Sequence, residues 1–372
     1  MNILLSAWLA RIMHGGVEKR LHDLGVSLVE HGYTTQMLCA KPFFGPDYPL
    51  HKPYEELNAT VPISPYTFNA KFKKQIEYLA LWTSVYAIKN ASTKFQICHG
   101  RGISCWPAIR SGIPTIVDMP GLAKGTNSSS GLMGSIMNEC VNKAAHFIAV
   151  SDLARRQLID DGIAKEKISV VYSSVPIAKI KAGCAFRAMN KFNLHSSKKV
   201  MLSVQNLNKK KRTLALVEMF CHANKNNDWQ LVIVGDGPKR NELARHIEKT
   251  GTKNVFLLGY QSEFLFDLYA LADAFALCSY REGAPIVYFE ALAAELPIVA
   301  TRSGATGEYL KHGKNALVSE EWDDAAFLNN LKLVMSDPKL TTDLSNEAAE
   351  SAKKYDSKIF LDKCLKLYHE FS

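Results

Sequence analysis

The chain has 372 residues with 47% hydrophobic and 10% aromatic composition, more than one hydrophobic core ordinarily serves. That composition excludes a largely disordered protein, and the absence of any run of roughly 20 uninterrupted apolar residues excludes a membrane-spanning helix. A formal net charge of +9 favours anionic partners, such as nucleotide phosphates, anionic lipids or nucleic acid, without choosing among them.

The opening residues MNILLSAWLARIMHGG lack the basic start and small-residue cleavage site of a secretory signal and read as a buried strand running into a loop. Strands are expected at 2–7, 34–39, 95–98, 115–117, 147–150 and 168–172, because short Val/Ile/Leu-rich runs alternate there with longer amphipathic segments. Helices are expected at 17–31 and 152–161, the second capped by the hydroxyl of Ser151. The segment 71–86 places Phe72, Ile76, Leu79 and Trp82 at helical spacing beside Lys71, Lys73 and Lys74. It reads either as a core-facing helix or as a basic amphipathic helix resting on an anionic membrane. A stretch without clear periodicity, 173–199, reads as a linker. A second strand series follows at 200–204, 230–234, 255–258, 274–277 and 298–300. Two such series predict an α/β protein of two doubly wound domains: an N-terminal one at 1–175, a C-terminal one at 198–355, and a final helix at 356–372, either staying with the second domain or crossing back to the first.

In open parallel sheets ligands bind beyond the carboxyl ends of strands, so the chemistry-bearing motifs are sought there. The stretch EGAPIVYFE, Glu282 to Glu290, follows the strand ending near Cys278. Pro285 fits the first helical position, so Glu282 lies in the loop and Glu290 on the helix, among Tyr288, Phe289 and an Ala/Leu run. A carboxylate so placed needs hydrogen-bond donors, which sugar hydroxyls or neighbouring backbone amides supply. GDGP, Gly235 to Pro238, is a turn where free amides face an anion, or an ordinary tight βα turn. NKKKR, Asn208 to Arg212, places cations at a strand end, either to neutralise a leaving diphosphate or as a solvated basic turn. Gly15 and Gly16 open the first helix, where backbone N–H groups can approach a phosphate. His99 and Arg101 are expected in the loop after the strand FQIC, facing the same side. The eight cysteines show no CxxC pair, and no Asp-x-Asp, HExxH or Cys/His cluster is present, so no metal site and a reducing cytoplasm are expected.

Together these residues resemble the GT-B retaining glycosyltransferases of family 4 (glycosyl transferases group 1), over nearly the whole chain. The family's Glu-Gly-x-Pro signature with a second Glu eight positions after the first is matched by Glu282, Gly283, Pro285 and Glu290, with Ala284 between. The resemblance implies that Glu282 contacts the donor sugar and Glu290 the ribose. Gly259 also resembles a family position, and Gly304 and Glu308 resemble a Gly-Gly-x-x-Glu element in which Ala305 departs from the pattern. The family's Arg and Lys phosphate pair aligns with Asn206 and Lys211: the Lys is kept and the Arg is replaced, leaving Lys209, Lys210 or Arg212 to compensate. Gly15 and Gly16 match its glycine loop, and its His-x-His element corresponds to His99 and Arg101.

By resemblance, Lys211, Glu282 and His99 carry catalysis, and Gly15, Gly16, Asn206, Gly235, Asp236, Gly283, Ala284, Pro285 and Glu290 bind the donor. It further implies two Rossmann-like domains facing across a cleft, retention of configuration, and neither cofactor nor metal. The expected partners are a nucleotide diphosphate sugar, UDP-linked by preference, and a glycan or lipid-linked glycan acceptor of lipopolysaccharide type. The expected location is the cytoplasm, at the inner face of the membrane. The competing readings are a GT-B nucleotide-sugar epimerase and a basic nucleic-acid-binding protein without catalysis. Against the last, no basic stretch is interleaved with aromatics in a recognisable module, so no nucleic acid is expected.

Overall fold

The structure is a computed structural model that describes residues 1–6, 16–44, 53–63, 70–119 and 132–372. It divides into two compact units, one formed by Met1–Tyr172 with Lys358–Ser372 and the other by Ser173–Ser357.

The first unit contains strands β1 (Asn2–Ser6), β2 (Thr34–Phe44), β3 (Glu55–Ile63), β4 (Ile97–Arg101), β5 (Thr115–Met119), β6 (His146–Ala149) and β7 (Ile168–Val170). They form a seven-stranded sheet in the order β3-β2-β1-β4-β5-β6-β7, all neighbours parallel. Apolar runs dictate this: Ile3, Leu4 and Leu5 of β1 are all fully buried, as a strand covered on both faces requires. One side of the core joins Ile3, Leu5, Leu21, Leu24 and Leu28 to Phe360, Leu361, Cys364, Leu367 and Tyr368 of the C-terminal helix Ser357–Phe371. That helix therefore completes a core whose sheet ends at Val170, far earlier in the chain. Helix Asp152–Asp160 starts as expected, with the Ala154 amide donating to Ser151 Oγ at 3.0 Å.

The second unit contains β8 (Lys199–Val204), β9 (Trp229–Val234), β10 (Val255–Gly259), β11 (Ala274–Leu277), β12 (Ile298–Arg302) and β13 (Leu317–Glu320). Their parallel order is β10-β9-β8-β11-β12-β13. Strand order reverses between β8 and β11 here, and between β1 and β4 in the first unit. The loops leaving such neighbours diverge to opposite faces and open a crevice at their carboxyl ends.

Three sequence expectations shift. Residues 173–199 are not an irregular linker: they form helices Ile177–Lys181 and Ala185–Phe192, too short for periodicity to reveal, within the second unit. Strand β4 runs to Arg101, so His99 and Arg101 lie on the strand rather than in the loop beyond it. In helix Ala70–Lys89 the inward face is carried by Leu81, Ser84, Val85 and Ile88, whereas Leu79 and Trp82 are 45% and 44% exposed. The side chains of Phe72 and Ile76, and of the lysines at 71, 73 and 74, lie outside the described ones.

Candidate functional site

The crevice of the second unit is built from the loops that follow β8, β9, β11 and β12. After β8 the chain passes through Gln205 and Asn206 into a 3-10 turn, Lys209–Lys211, capped by Asn208, whose side-chain oxygen accepts from the Lys210 amide at 3.0 Å. The loop after β9 is stitched to it: the Leu207 amide donates to the Asp236 carbonyl at 2.8 Å, and the Lys239 amide to the Leu207 carbonyl at 2.8 Å. Gly235 permits this approach, because its φ is +132° and a Cβ there would lie 1.8 Å from the Gln205 carbonyl oxygen. Asp236 itself is exposed; its carboxylate accepts from the Gly237 amide at 2.7 Å and lies 3.4 Å from Arg240.

From β11 the chain leads to Glu282, whose amide donates to Ser303 Oγ at 2.8 Å. Gly304, at φ +54°, lets the loop after β12 pass under Glu282, since a Cβ there would meet the Glu282 carbonyl oxygen at 1.7 Å. Glu282 Oε1 lies 2.6 Å from Lys211 Nζ, with the two side chains only 15% and 14% exposed. Two residues separated by 71 positions in sequence thus meet where β8 and β11 diverge. An ammonium held beside a carboxylate at partial burial is oriented by it, yet open enough to exchange its partner for another anion.

Gly283 is exposed and Ala284 partly exposed, with the Gly283 carbonyl accepting from the Ala305 amide at 3.2 Å. Pro285 is the N-cap of helix Ile286–Ala293, one position earlier than expected, with an extended backbone (ψ 123°). Glu290 on that helix is 1% exposed, and Tyr269 donates its hydroxyl to Glu290 Oε2 at 2.9 Å. Its carboxylate is held in the interior by a donor the sequence reading did not name. Of the cations expected to compensate for the replaced Arg, Lys209 and Lys210 are exposed. Arg212 is engaged: its guanidinium lies 2.7 Å from Asp324 and 4.4 Å above the Trp322 ring.

In the first unit Gly16 opens helix Gly16–Glu30, and Gly15 lies outside the described residues. His99 does not face an open loop region. It is fully buried, its Nδ1 is 2.6 Å from the Tyr368 hydroxyl, and burial pulls its pKa down to about 4. Its Nδ1 is thereby engaged by the C-terminal helix, while Nε2 has no hydrogen-bond partner among the described residues. Arg101 is partly exposed at the end of β4. Near His99 lies a pair that sequence reading missed, Arg20 with Asp118, 3.3 Å apart and each side chain 3% exposed. The signal was available: Asp118 interrupts the apolar run TIVDM, and a buried carboxylate demands a partner. Among the described residues no three His, Cys, Asp or Glu side chains gather as a metal site, and no helix is long and apolar enough to cross a membrane.

Both units match family models: "Glycosyltransferase Family 4" over residues 14–179 and "Glycosyl transferases group 1" over residues 186–351. Anabaena HepE, solved in complex with UDP and glucose, superposes with a TM-score of 0.75 at 15% identity, covering 100% of both chains. This is the GT-B glycosyltransferase fold. WaaG, described as a glycosyltransferase involved in lipopolysaccharide biosynthesis, shares the GT-B architecture with a TM-score of 0.75 at 13% identity over 99% of each chain. In sequence, the N-acetyl-alpha-D-glucosaminyl L-malate synthase of Bacillus anthracis is 27% identical over 161 residues, 43% of this chain and 42% of that protein. The matched segments span 42% and 45% of the length of two of the curated relatives, and 61% of a third. The "group 1" match encloses the whole Lys211–Glu282 crevice of the GT-B chain.

Proposed function

We propose that the chain is a retaining, metal-independent glycosyltransferase that moves a sugar from a nucleotide diphosphate donor, UDP-linked by preference, to a glycan or lipid-linked glycan acceptor in cell-surface glycan synthesis. The observation that carries this reading is the Lys211–Glu282 pair at the diverging ends of β8 and β11. UDP in the HepE complexes supports the choice of nucleotide, and the lipopolysaccharide role of WaaG supports the acceptor class.

The chemistry follows from charge. As the bond between the sugar's anomeric carbon and the phosphate oxygen breaks, negative charge grows on the diphosphate, and Lys211 turns from Glu282 to meet it. The carboxylate so released accepts from sugar hydroxyls. The acceptor oxygen then bonds to the anomeric carbon on the face the diphosphate leaves, and its proton passes to the departing phosphate oxygen. No protein base is required, and Lys211 supplies charge that a metal ion would otherwise bring. Asn206, Gly235, Asp236, Gly283, Ala284 and Pro285 line the donor side of this reading, and Glu290 acts on the ribose.

Peripheral contact with an anionic membrane belongs to the same proposal. It is favoured by Leu79, Trp82 and Tyr86, which recur at helical spacing on helix Ala70–Lys89 and are 45%, 44% and 72% exposed. A location at the inner face of the cell membrane is part of the same proposal. A thermal-shift screen of UDP-, GDP- and ADP-sugars, followed by mass analysis of products with lipid-linked glycans, tests the reading. UDP-sugars should stabilise the chain by mass action and yield an elongated glycan. Release of an isomerised sugar without an acceptor would instead indicate an epimerase.

A further inference from the structure

Arg212 holds an unusual backbone position. It ends the Lys209–Lys211 turn and begins helix Thr213–Ala223 with φ 47° and ψ 37°, the left-handed region that glycine enters freely and a long side chain does not. Trp322, at φ 70°, is another of the six described non-glycine residues with positive φ, and it is 59% exposed. The two strained residues meet, with the guanidinium carbon 4.4 Å over the indole. The same guanidinium lies 2.7 Å from Asp324 Oδ2 and 3.5 Å from Cys278 Sγ. Trp322 in turn packs on Tyr280, ring centres 4.7 Å apart, and the Tyr280 amide donates to the Lys210 carbonyl at 3.0 Å. The contacts close a circuit, from Lys210 through Lys211 to Arg212, across to Trp322, on to Tyr280 and back to Lys210. Lys211 is the member of that circuit whose side chain meets Glu282.

A mostly exposed tryptophan adds little to the core, and a left-handed backbone at both partners costs stability, so core packing alone does not account for the circuit. We propose that Arg212, gripped by Asp324 and Trp322, is a positioning residue that fixes the turn presenting Lys211 and thereby sets the affinity of the crevice for a diphosphate. The inference rests on the reading of Lys211 as the diphosphate's partner. It assigns Arg212 no direct contact with the donor, because its charge is already matched by Asp324 and its face covered by Trp322. Hydrogen bonding to Asp324 also raises its pKa, so the cation is permanent.

The probe is UDP, titrated calorimetrically into the full chain. Trp322→Ala should weaken UDP binding about tenfold in the wild-type background and leave it nearly unchanged in a Lys211→Met background, the signature of action through Lys211. Trp322→Phe, which keeps a ring under the guanidinium, should restore most of the affinity. Asp324→Ala should also weaken binding; were Arg212 itself a phosphate ligand, freeing it from Asp324 would leave affinity equal or improved. An equal loss for Trp322→Ala in both backgrounds, or undiminished binding by Asp324→Ala, overturns the proposal. If the wild-type chain does not bind UDP, the donor reading fails on its own. The positioning role is then decided by amide hydrogen exchange over residues 207–213, which Trp322→Ala should speed about tenfold and which unchanged protection would refute.

Discussion

At the level of single residues, charged and titratable side chains in the two units differ in their surroundings. Lys211 and Glu282 are held together at partial burial, ready to part. Lys211→Ala should lower turnover about 10²-fold, and by more than it weakens donor binding, because the charge it meets is largest in the transition state. Steady-state kinetics with a UDP-sugar checks this, and a change confined to the Michaelis constant would contradict it. His99 behaves oppositely. Its pKa is pulled from an ordinary 6.5 to about 4 by burial, so the unfolded chain takes up a proton that the folded chain refuses. Its neutral form is accommodated above about pH 6.5, and stability falls as pH drops from there toward 4. Tracking Tm from pH 7 to 4 should show a fall that His99→Gln lessens; parallel curves would place the acid sensitivity elsewhere. The sequence disclosed these residue types but not their encounters. Glu290 was legible as a buried carboxylate in need of a donor, yet Tyr269, 21 positions earlier, is supplied by the fold.

At the scale of elements, strands buried on both faces were readable because continuous apolar runs leave few alternatives. The two that were missed, β3 with EELNATVPI and β13 with LVSE, lie at the edges of their sheets and mix polar residues into the run. Strand β4 extends three residues past the expected end at Cys98, where Gly100 packs against Ser6 so closely that a Cβ would sit 2.6 Å from the serine Cβ. The crevice depends on such close passages. Gly304→Ala would push on the Glu282 carbonyl from 1.7 Å in a backbone region alanine resists, displacing the loop that presents Glu282. Its Tm should fall, and donor affinity with it; a variant with wild-type affinity would show that the loop after β12 does not set the position of Glu282. Helix Ala70–Lys89 offers a separate test. Replacing Trp82 and Tyr86 by serine should reduce flotation with anionic liposomes while leaving recovery with neutral ones low, and equal recovery before and after would remove the membrane contact.

At the scale of the whole molecule, the division into two α/β units was foreshadowed by two strand series, and each unit carries its own parallel sheet with its own reversal of strand order. Lys211 and Glu282 both reside in the second unit. That concentration makes the central claim open to a single binding measurement, a calorimetric titration of UDP into the full chain in excess EDTA, run beside Lys211→Ala. One UDP per chain should bind with the chelator present, about tenfold or more weakly in the variant, as removal of one charge-assisted phosphate contact requires. Absence of binding until Mg²⁺ or Mn²⁺ is restored, or equal affinity in wild type and Lys211→Ala, would contradict it.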